Sequence, residues 1–478
     1  MAPSLQPRVD GDLRSILDSH DTLHRMVDTL GSPLNLVLPD RLAGNVRDFE
    51  TTLRAYDLGG TVYFAHKANR SSALVRALAT TGAGIDVASL GELQHALGAG
   101  LGPARIMATG PKSREFLWLA ARTGVTVGAD SVPELAELAG MVAAHGLPRV
   151  RVMARLSGFA STGTTVLSRA SRFGVPVSDL DPLWAVLDEH RDQLDFHGAA
   201  YHLDTNGLPE KAAALEGCLE AMAEAQRRGL SPRAIDVGGG FGVNYLADSR
   251  EWEAWTTELT GAVLGQRPPI TWDGHGYGLR NEGGRLRGVL AVYPAYRAVA
   301  GPAYLDRLLA TASTAHRRPL GSLVLDNLYD LHLEPGRALL DQCGAVLTRV
   351  EEVRDGLVRV AANSNDVALE AHGVLMDPIL VPRGEPRPDD GPVGVHLAGN
   401  LCLEADLITR RRVPLPRPPR AGDLLVFANT AGYLMDFSAG SALMQPTART
   451  VAAWRHGGDW RWCLDERYWP VTGREETG

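Results

Sequence analysis

The chain has 478 residues, enough to bury two or three separate cores. Hydrophobic residues make up 45% and charged residues 22%, a balance that excludes a disordered or fibrous chain. A formal charge of -8 with no basic block argues against a nucleic-acid partner.

The N-terminus, Met1-Ala-Pro-Ser-Leu-Gln-Pro7, lacks a basic segment followed by an apolar core, so no signal peptide is expected. No apolar run is long enough to span a membrane, and a cytosolic enzyme is the expectation. Leu34–Leu38 reads as a strand. From about residue 60, short β-rich runs alternate with amphipathic segments. The runs are Val62–Ala65, Ile85–Ala88, Arg105–Ala108, Thr126–Ala129, Val150–Leu156, Phe196–His202, Ile235–Val237 and Leu323–Glu334. Between them Ser72–Thr80, Leu90–Gly98, Ser113–Thr123 and Val132–His145 read as helices. Parallel strands need crossover helices, and roughly eight such repeats favour a closed (β/α)8 TIM barrel over an open sheet.

Residues 268–325 carry several Gly-rich polar turns and are too long for an ordinary connection, so an inserted lid or subdomain is expected. Beyond about residue 338, Val346–Val353, Leu357–Ala362, Val393–Ala398, Leu424–Ala428 and Thr447–Trp454 read as strands of an antiparallel β-barrel or sandwich domain. Pro382–Pro392 reads as a loop and Arg410-Arg-Arg412 as a solvated turn. The expected division is residues 1–39 joining the β domain, 40–335 forming the barrel, and 336–478 forming the C-terminal β domain. Cys218, Cys343, Cys402 and Cys463 are too scattered for a zinc cage or a disulfide framework, and no metal is expected.

Four segments carry chemistry. Lys67, in Tyr63-Phe-Ala-His-Lys-Ala-Asn69, follows a strand-like run, and a lysine at a barrel strand end can form a Schiff base. Gly238, Gly239, Gly240 and Gly242 follow Ala234-Ile-Asp-Val237, where side-chain-free residues let backbone amides approach an anion. Their spacing is not that of a dinucleotide fingerprint. Glu334 ends another strand-like run before Pro335-Gly336-Arg337; its carboxylate can keep a pyridine nitrogen protonated, and Arg337 can counter a phosphate. Cys402, in Ala398-Gly-Asn-Leu-Cys-Leu-Glu-Ala-Asp406, can deliver a proton, with Asp406 orienting its loop or facing substrate. His202 closes a strand, where its flat imidazole can stack on a ring. In this order the segments describe a pyridoxal-phosphate site.

From about Pro33 to about Gln445 the chain resembles the fold-type III pyridoxal-phosphate enzymes, especially the diaminopimelate and ornithine/arginine decarboxylases. The resemblance implies an alanine racemase-like barrel and an amino-acid decarboxylase that works as a homodimer with shared sites. It makes Lys67 the Schiff-base lysine, and places Asp86 and Glu92, in Gly84-Ile-Asp-Val-Ala-Ser-Leu-Gly-Glu92, near the lysine and cofactor. Arg155 matches a cofactor-proximal arginine and His202 the stacking histidine. The GGGFG and EPGR segments match those of the family, Tyr433 matches a phosphate-contacting tyrosine, and Cys402 matches the cysteine donated across the dimer.

Two departures bear on substrate and cofactor. Asp204 and Thr205 stand where the family has Gly and Ser beside the phosphate; Thr205 can still donate a hydrogen bond, while Asp204 would repel phosphate if it pointed inward. Leu403 stands where the family has the acid that reads a distal ammonium. The implied substrate is therefore an amino acid other than meso-diaminopimelate, free or carrier-bound. A racemase is an alternative on the same scaffold, although related racemases pair the ring nitrogen with arginine rather than a carboxylate. A non-catalytic pyridoxal-phosphate carrier is another, although the small carriers of this fold type lack the β domain.

Overall fold

The computed structural model describes residues 3–159, 171–385, 387–388 and 390–470. Eight parallel strands follow one another around a barrel: Tyr63–Ala65, Gly84–Val87, Ile106–Ala108, Thr126–Ala129, Val150–Ser157, Leu194–Tyr201, Ala234–Asp236 and Asp330–His332. The last strand returns to the first through a parallel bridge between Val62 and Leu333, where the Tyr63 N–H donates to the Leu333 carbonyl at 2.7 Å. Closure leaves no free edge, so the fold is the expected (β/α)8 barrel.

The sequence sets where several barrel helices begin. Ser71, Ser89, Ser113 and Ser131 each accept a backbone N–H of the first helical turn, starting Ser72–Ala79, Leu90–Gly98, Arg114–Thr123 and Val132–Ala144. Glu92 and Glu134 reach back to the N–H groups of Ala88 and Asp130, at 2.6 and 3.1 Å, so two of these turns are capped from both sides. Such caps fix the chain at the strand-to-helix turn, at the barrel mouth.

One strand assignment needs correction. Leu323–Glu334 is not a single strand: Leu320–Asp326 is a helix, and the strand proper is Asp330–His332. Leucines recur on both sides of Asp326-Asn327, and so short a stretch has no clear period that separates strand from buried helix. Residues 268–325 correspondingly hold more regular structure than expected. They contain an exposed hairpin, Arg280–Glu282 with Arg285–Arg287, the helix Pro302–Ala310, and the helix that leads into the last barrel strand.

The second sheet runs in the order Leu407–Leu415, Val393–Ala398, Leu357–Val360, Gly344–Arg354, Leu34–Val37, Arg449–His456, Asp459–Leu464. Leu424–Ala428 also pairs with Gly344–Arg354 and carries Ile379–Val381 on its other side. Leu34–Val37 lies antiparallel to Gly344–Arg354 and parallel to Arg449–His456, so the N-terminal strand is an internal member of this sheet. Two N-terminal helices, Gly11–Leu17 and His20–Leu30, bury Leu13, Ile16, Leu23 and Met26 against its Leu34, Leu36, Leu347 and Val426. The Arg410-Arg-Arg412 turn is a further correction, because it lies inside Leu407–Leu415. Side chains alternate along a strand, so Arg410 and Arg412 face outward while Arg411 is fully buried, 2.9 Å from Asp377.

Candidate active site

The polar residues of interest gather where the barrel strands end. Lys67 lies in the single 3-10 turn His66–Ala68 that follows Tyr63–Ala65. Neighbouring imidazoles pin this turn: His66 Nε2 lies 2.8 Å from His95 Nδ1, and His95 Nε2 lies 3.0 Å from Ser72 Oγ. Burial lowers His66 to about 4, so its contact is one between neutral rings. Asp86 is paired in register with Ala65 on the adjacent strand. Its Oδ1 accepts the Thr109 hydroxyl, whereas its buried Oδ2 has no hydrogen-bond partner.

Electrostatics around the lysine are dominated by buried carboxylates. Burial alone would lower Lys67, but Asp86 and Glu334 outweigh it and hold the ammonium above the ordinary lysine range. Asp86 is pushed up to about 6 by burial and by the nearby Glu334, with Lys67 opposing. Glu334 is raised chiefly by burial, against the charges of Lys67, Arg155 and Lys211. His202 Nδ1 lies 3.4 Å from Glu334 Oε2 and 3.4 Å from the Gly239 nitrogen. Burial, then Lys67 and Arg155, lower this imidazole to about 3, so the His202–Glu334 contact is not an ion pair.

The glycine cluster lies beside these groups. The Glu334 N–H donates to the Gly238 carbonyl at 3.0 Å, which ties the two strand ends together. A Cβ on Gly239 would meet the Glu334 carbonyl at 2.8 Å, and Gly240 has φ +82°, so neither position accepts a side chain without strain. The β domain completes the wall. Tyr433 adopts φ 69°, its N–H donates to the Ala68 carbonyl at 2.8 Å, and its hydroxyl would lie 3.0 Å from a Cβ on Gly336. A tyrosine in the left-handed region is strained, and these contacts hold it there. Arg337 lies over the Tyr433 ring, 5.5 Å from its centroid. Arg155 pairs with Asp130 at 3.1 Å and reaches the His202 carbonyl at 3.4 Å.

Two cavities, of about 220 and about 540 Å³, meet at Lys67, His202, Leu203, Asp204 and Glu334. The smaller is lined by Thr205, the glycine loop, Arg337 and Tyr433; the larger by Thr109, Arg155 and Phe173.

Comparison with known proteins agrees with this geometry. Residues 42–286 match the family described as "Pyridoxal-dependent decarboxylase, pyridoxal binding domain". The chain belongs to the pyridoxal-dependent decarboxylases. An uncharacterized protein, y4yA, of Sinorhizobium fredii is 34% identical over 85% of this chain and 84% of its own length. The diaminopimelate decarboxylase of Pseudomonas aeruginosa is 26% identical over 86% of this chain and 85% of its own. In structure, the diaminopimelate decarboxylase of M. jannaschii in complex with L-lysine matches with TM-score 0.70 at 18% identity, covering 90% of this chain and 88% of that one; this likeness concerns the fold.

The cofactor of this decarboxylase family is pyridoxal phosphate, and the residues present fit it. A half-buried lysine stands among carboxylates, Asp86 Oδ2 is left unpartnered, and the glycine cradle is one that a Cβ would fill. Among the described residues, no carboxylate forms an ion pair with Arg337. A guanidinium with no carboxylate partner beside a glycine loop suits a phosphate.

Cys402 lies elsewhere. It is exposed in the loop after Val393–Ala398 and lines neither cavity, and Leu403 beside it is 62% exposed. Asp406 is buried and holds that loop: it accepts the N–H groups of Leu401 at 2.8 Å and Ser364 at 2.9 Å. Of the two roles expected for Asp406, the geometry is that of the loop organiser. Glu92 caps its own helix through Ala88 and lies 4.0 Å from His66 Nδ1.

Sequence reading missed three groups. Asp236 is fully buried, its Oδ1 accepting the Gly238 N–H at 2.7 Å; burial and Glu334 raise it well above the ordinary range. Lys211, on the helix Leu208–Arg227, is fully buried, donates to the Gly239 carbonyl, and lies 4.8 Å from the Phe241 ring centroid. Burial lowers its ammonium to about 7, with Asp236 and Glu334 opposing. Arg297, from the 268–325 stretch, lines the smaller cavity. Asp236 had a sequence signal, since it lies two residues before the first glycine. Lys211 had only an ordinary helical pattern.

Proposed function

We propose that this decarboxylase acts on an amino acid without a distal ammonium, free or conjugated to a carrier, in a homodimer whose two copies share their active sites. The observation that carries the catalytic assignment is Lys67, a half-buried ammonium at a barrel strand end held charged by Asp86 and Glu334. In this reading Lys67 holds the cofactor covalently through Nζ, and the glycine loop, Thr205, Arg337 and Tyr433 hold its phosphate. When bound, pyridoxal phosphate supplies an electron sink for the bond that breaks as carbon dioxide leaves. Glu334, whose proton affinity burial raises, would share the proton of the ring nitrogen. His202, held neutral, would pack against the ring without adding charge. Arg155, fixed by Asp130, sits on the side of the larger cavity.

Proton return to the α-carbon falls to Cys402. In a single chain this thiol is exposed and outside the cavity, so the second copy delivers it. The same loop presents Leu403 to substrate. Burying an unpaired ammonium against leucine would cost on the order of several kcal/mol, which disfavours lysine, ornithine and meso-diaminopimelate. Among the described residues no helix is long and apolar enough to cross a membrane, and we infer a cytosolic enzyme.

A carbon-dioxide release assay over basic, acidic, neutral and carrier-bound amino acids tests this reading. Turnover is expected with a substrate lacking a distal ammonium. Efficient turnover of lysine, ornithine or diaminopimelate would overturn the substrate assignment, and product with an inverted α-centre and no carbon dioxide would overturn the decarboxylase role.

A further inference from the structure

The stretch from Tyr293 to Arg297 crosses from the β domain to the glycine loop. The Tyr293 N–H donates to the Gly373 carbonyl at 2.9 Å, and the Tyr245 N–H donates to the Ala295 carbonyl at 2.9 Å. The Arg297 N–H donates to Asn244 Oδ1 at 3.1 Å, and the Gly301 N–H to the Phe241 carbonyl at 2.8 Å. These bonds stitch the stretch to the chain just past the glycines, and a Cβ on Gly242 would stand 3.4 Å from Arg297 Cδ.

We propose that Arg297 is the second guanidinium of an oxyanion site at the glycine-loop end of the cavity, acting beside Arg337 on a phosphate or carboxylate group. This rests on the pyridoxal-phosphate reading of the same cavity. Two like charges are brought together here, and among the described residues no carboxylate forms an ion pair with either. Burial lowers Arg297, Tyr293 opposes, and the Arg337 charge acts again in the lowering direction, so an anion between the two guanidiniums would relieve their repulsion. Asp204 adds to the need. It lines the same cavity, and a second guanidinium offsets the repulsion its carboxylate would exert on a phosphate.

The anion has two possible carriers: the cofactor, through its phosphate, or the substrate, through an acidic side chain. Titrating the apoprotein with pyridoxal phosphate and with pyridoxal, followed by cofactor absorbance, separates them without relying on turnover. If the cofactor is the carrier, Arg297→Met weakens pyridoxal phosphate by about tenfold or more, leaves pyridoxal unchanged, and Arg297→Lys recovers part of the loss. If the substrate is the carrier, both titrations stay unchanged, while kcat/KM for acidic amino acids falls about tenfold or more against that for neutral ones. Either result supports the site. Equal weakening of pyridoxal and pyridoxal phosphate would show that Arg297 only supports the fold and would overturn the proposal. So would unchanged titrations together with an unchanged acidic-to-neutral ratio. Thermal unfolding of both variants identifies a misfolded protein; should Arg297→Met misfold, Arg297→Lys carries the same comparison, with a smaller shift expected in the same direction.

Discussion

The barrel mouth around Lys67 and the loop around Cys402 differ in nearly every physical respect. The mouth is buried and dense in ionisable groups: Asp86, Asp236 and Glu334 face Lys67, Lys211 and Arg155 across a few side chains, and several have shifted proton affinities. The Cys402 loop is exposed, and its one buried carboxylate, Asp406, is spent on backbone N–H groups. In the proposed reading the groups that would hold the cofactor come from one chain, whereas the proposed proton donor stands outside the cavity. The contrast separates two tasks, cofactor binding within a chain and proton delivery from a second copy, and each can be tested alone.

Removing Lys67 should produce the largest effect. Lys67→Ala is expected to lose covalent cofactor and to lower kcat by on the order of a thousandfold or more. Borohydride reduction and peptide mapping of the wild-type protein should place a pyridoxyl group on Lys67. A pyridoxyl group on another lysine would mean that the buried cluster is a structural ion network.

Next in size is the test of division between the two regions. Lys67→Ala and Cys402→Ala chains, each inactive alone, should recover activity when mixed under exchange conditions. Random pairing places one intact composite site in half of the dimers, so about a quarter of wild-type activity is the expected recovery. Mass spectrometry confirms that mixed dimers have formed. Mixed dimers without recovery would place the proton donor within the chain that carries the cofactor.

The two regions also differ in how far their sequence betrays them. The mouth was legible where a candidate group sits in a local pattern: Lys67 after Tyr63-Phe-Ala65, the glycines after a strand, Glu334 before Pro-Gly-Arg, all of which the fold gathers at the strand ends. Strand–helix alternation likewise carried the barrel. What the pattern could not carry was partnership across the chain. Lys211 is an unremarkable helical lysine until the fold sets it under Gly239, and Arg297 lies in a segment without period. Arg411 reads as solvated because charge is conspicuous in sequence; its burial depends on Asp377, which lies 2.9 Å away in space but on a separate segment. The Leu320–Asp326 helix was hidden by the opposite problem, a leucine-rich stretch whose two halves look alike but fold differently on either side of Leu328, at φ 56°.

The smallest effect concerns the buried lysine that sequence did not reveal. Lys211 falls from 10.5 to about 7 in the folded chain, so between those values the unfolded chain binds a proton that the native chain does not. Stability of the apoprotein therefore rises with pH across that window. The cost of burying the ammonium is absent above the unfolded value and fully present below about 7. Lys211→Met keeps an unbranched side chain over the Phe241 ring but removes the titration. Its Tm relative to wild type should be highest below pH 7 and should fall steadily as pH rises toward 10.5, whatever constant offset comes from losing the bond to the Gly239 carbonyl. Thermal unfolding of both apoproteins at several pH values measures the slope. A Tm difference independent of pH would mean that Lys211 does not titrate differently on folding. Asp236 and Glu334 would then hold it fully charged, and the electrostatics of the mouth would extend one layer deeper behind the glycine loop.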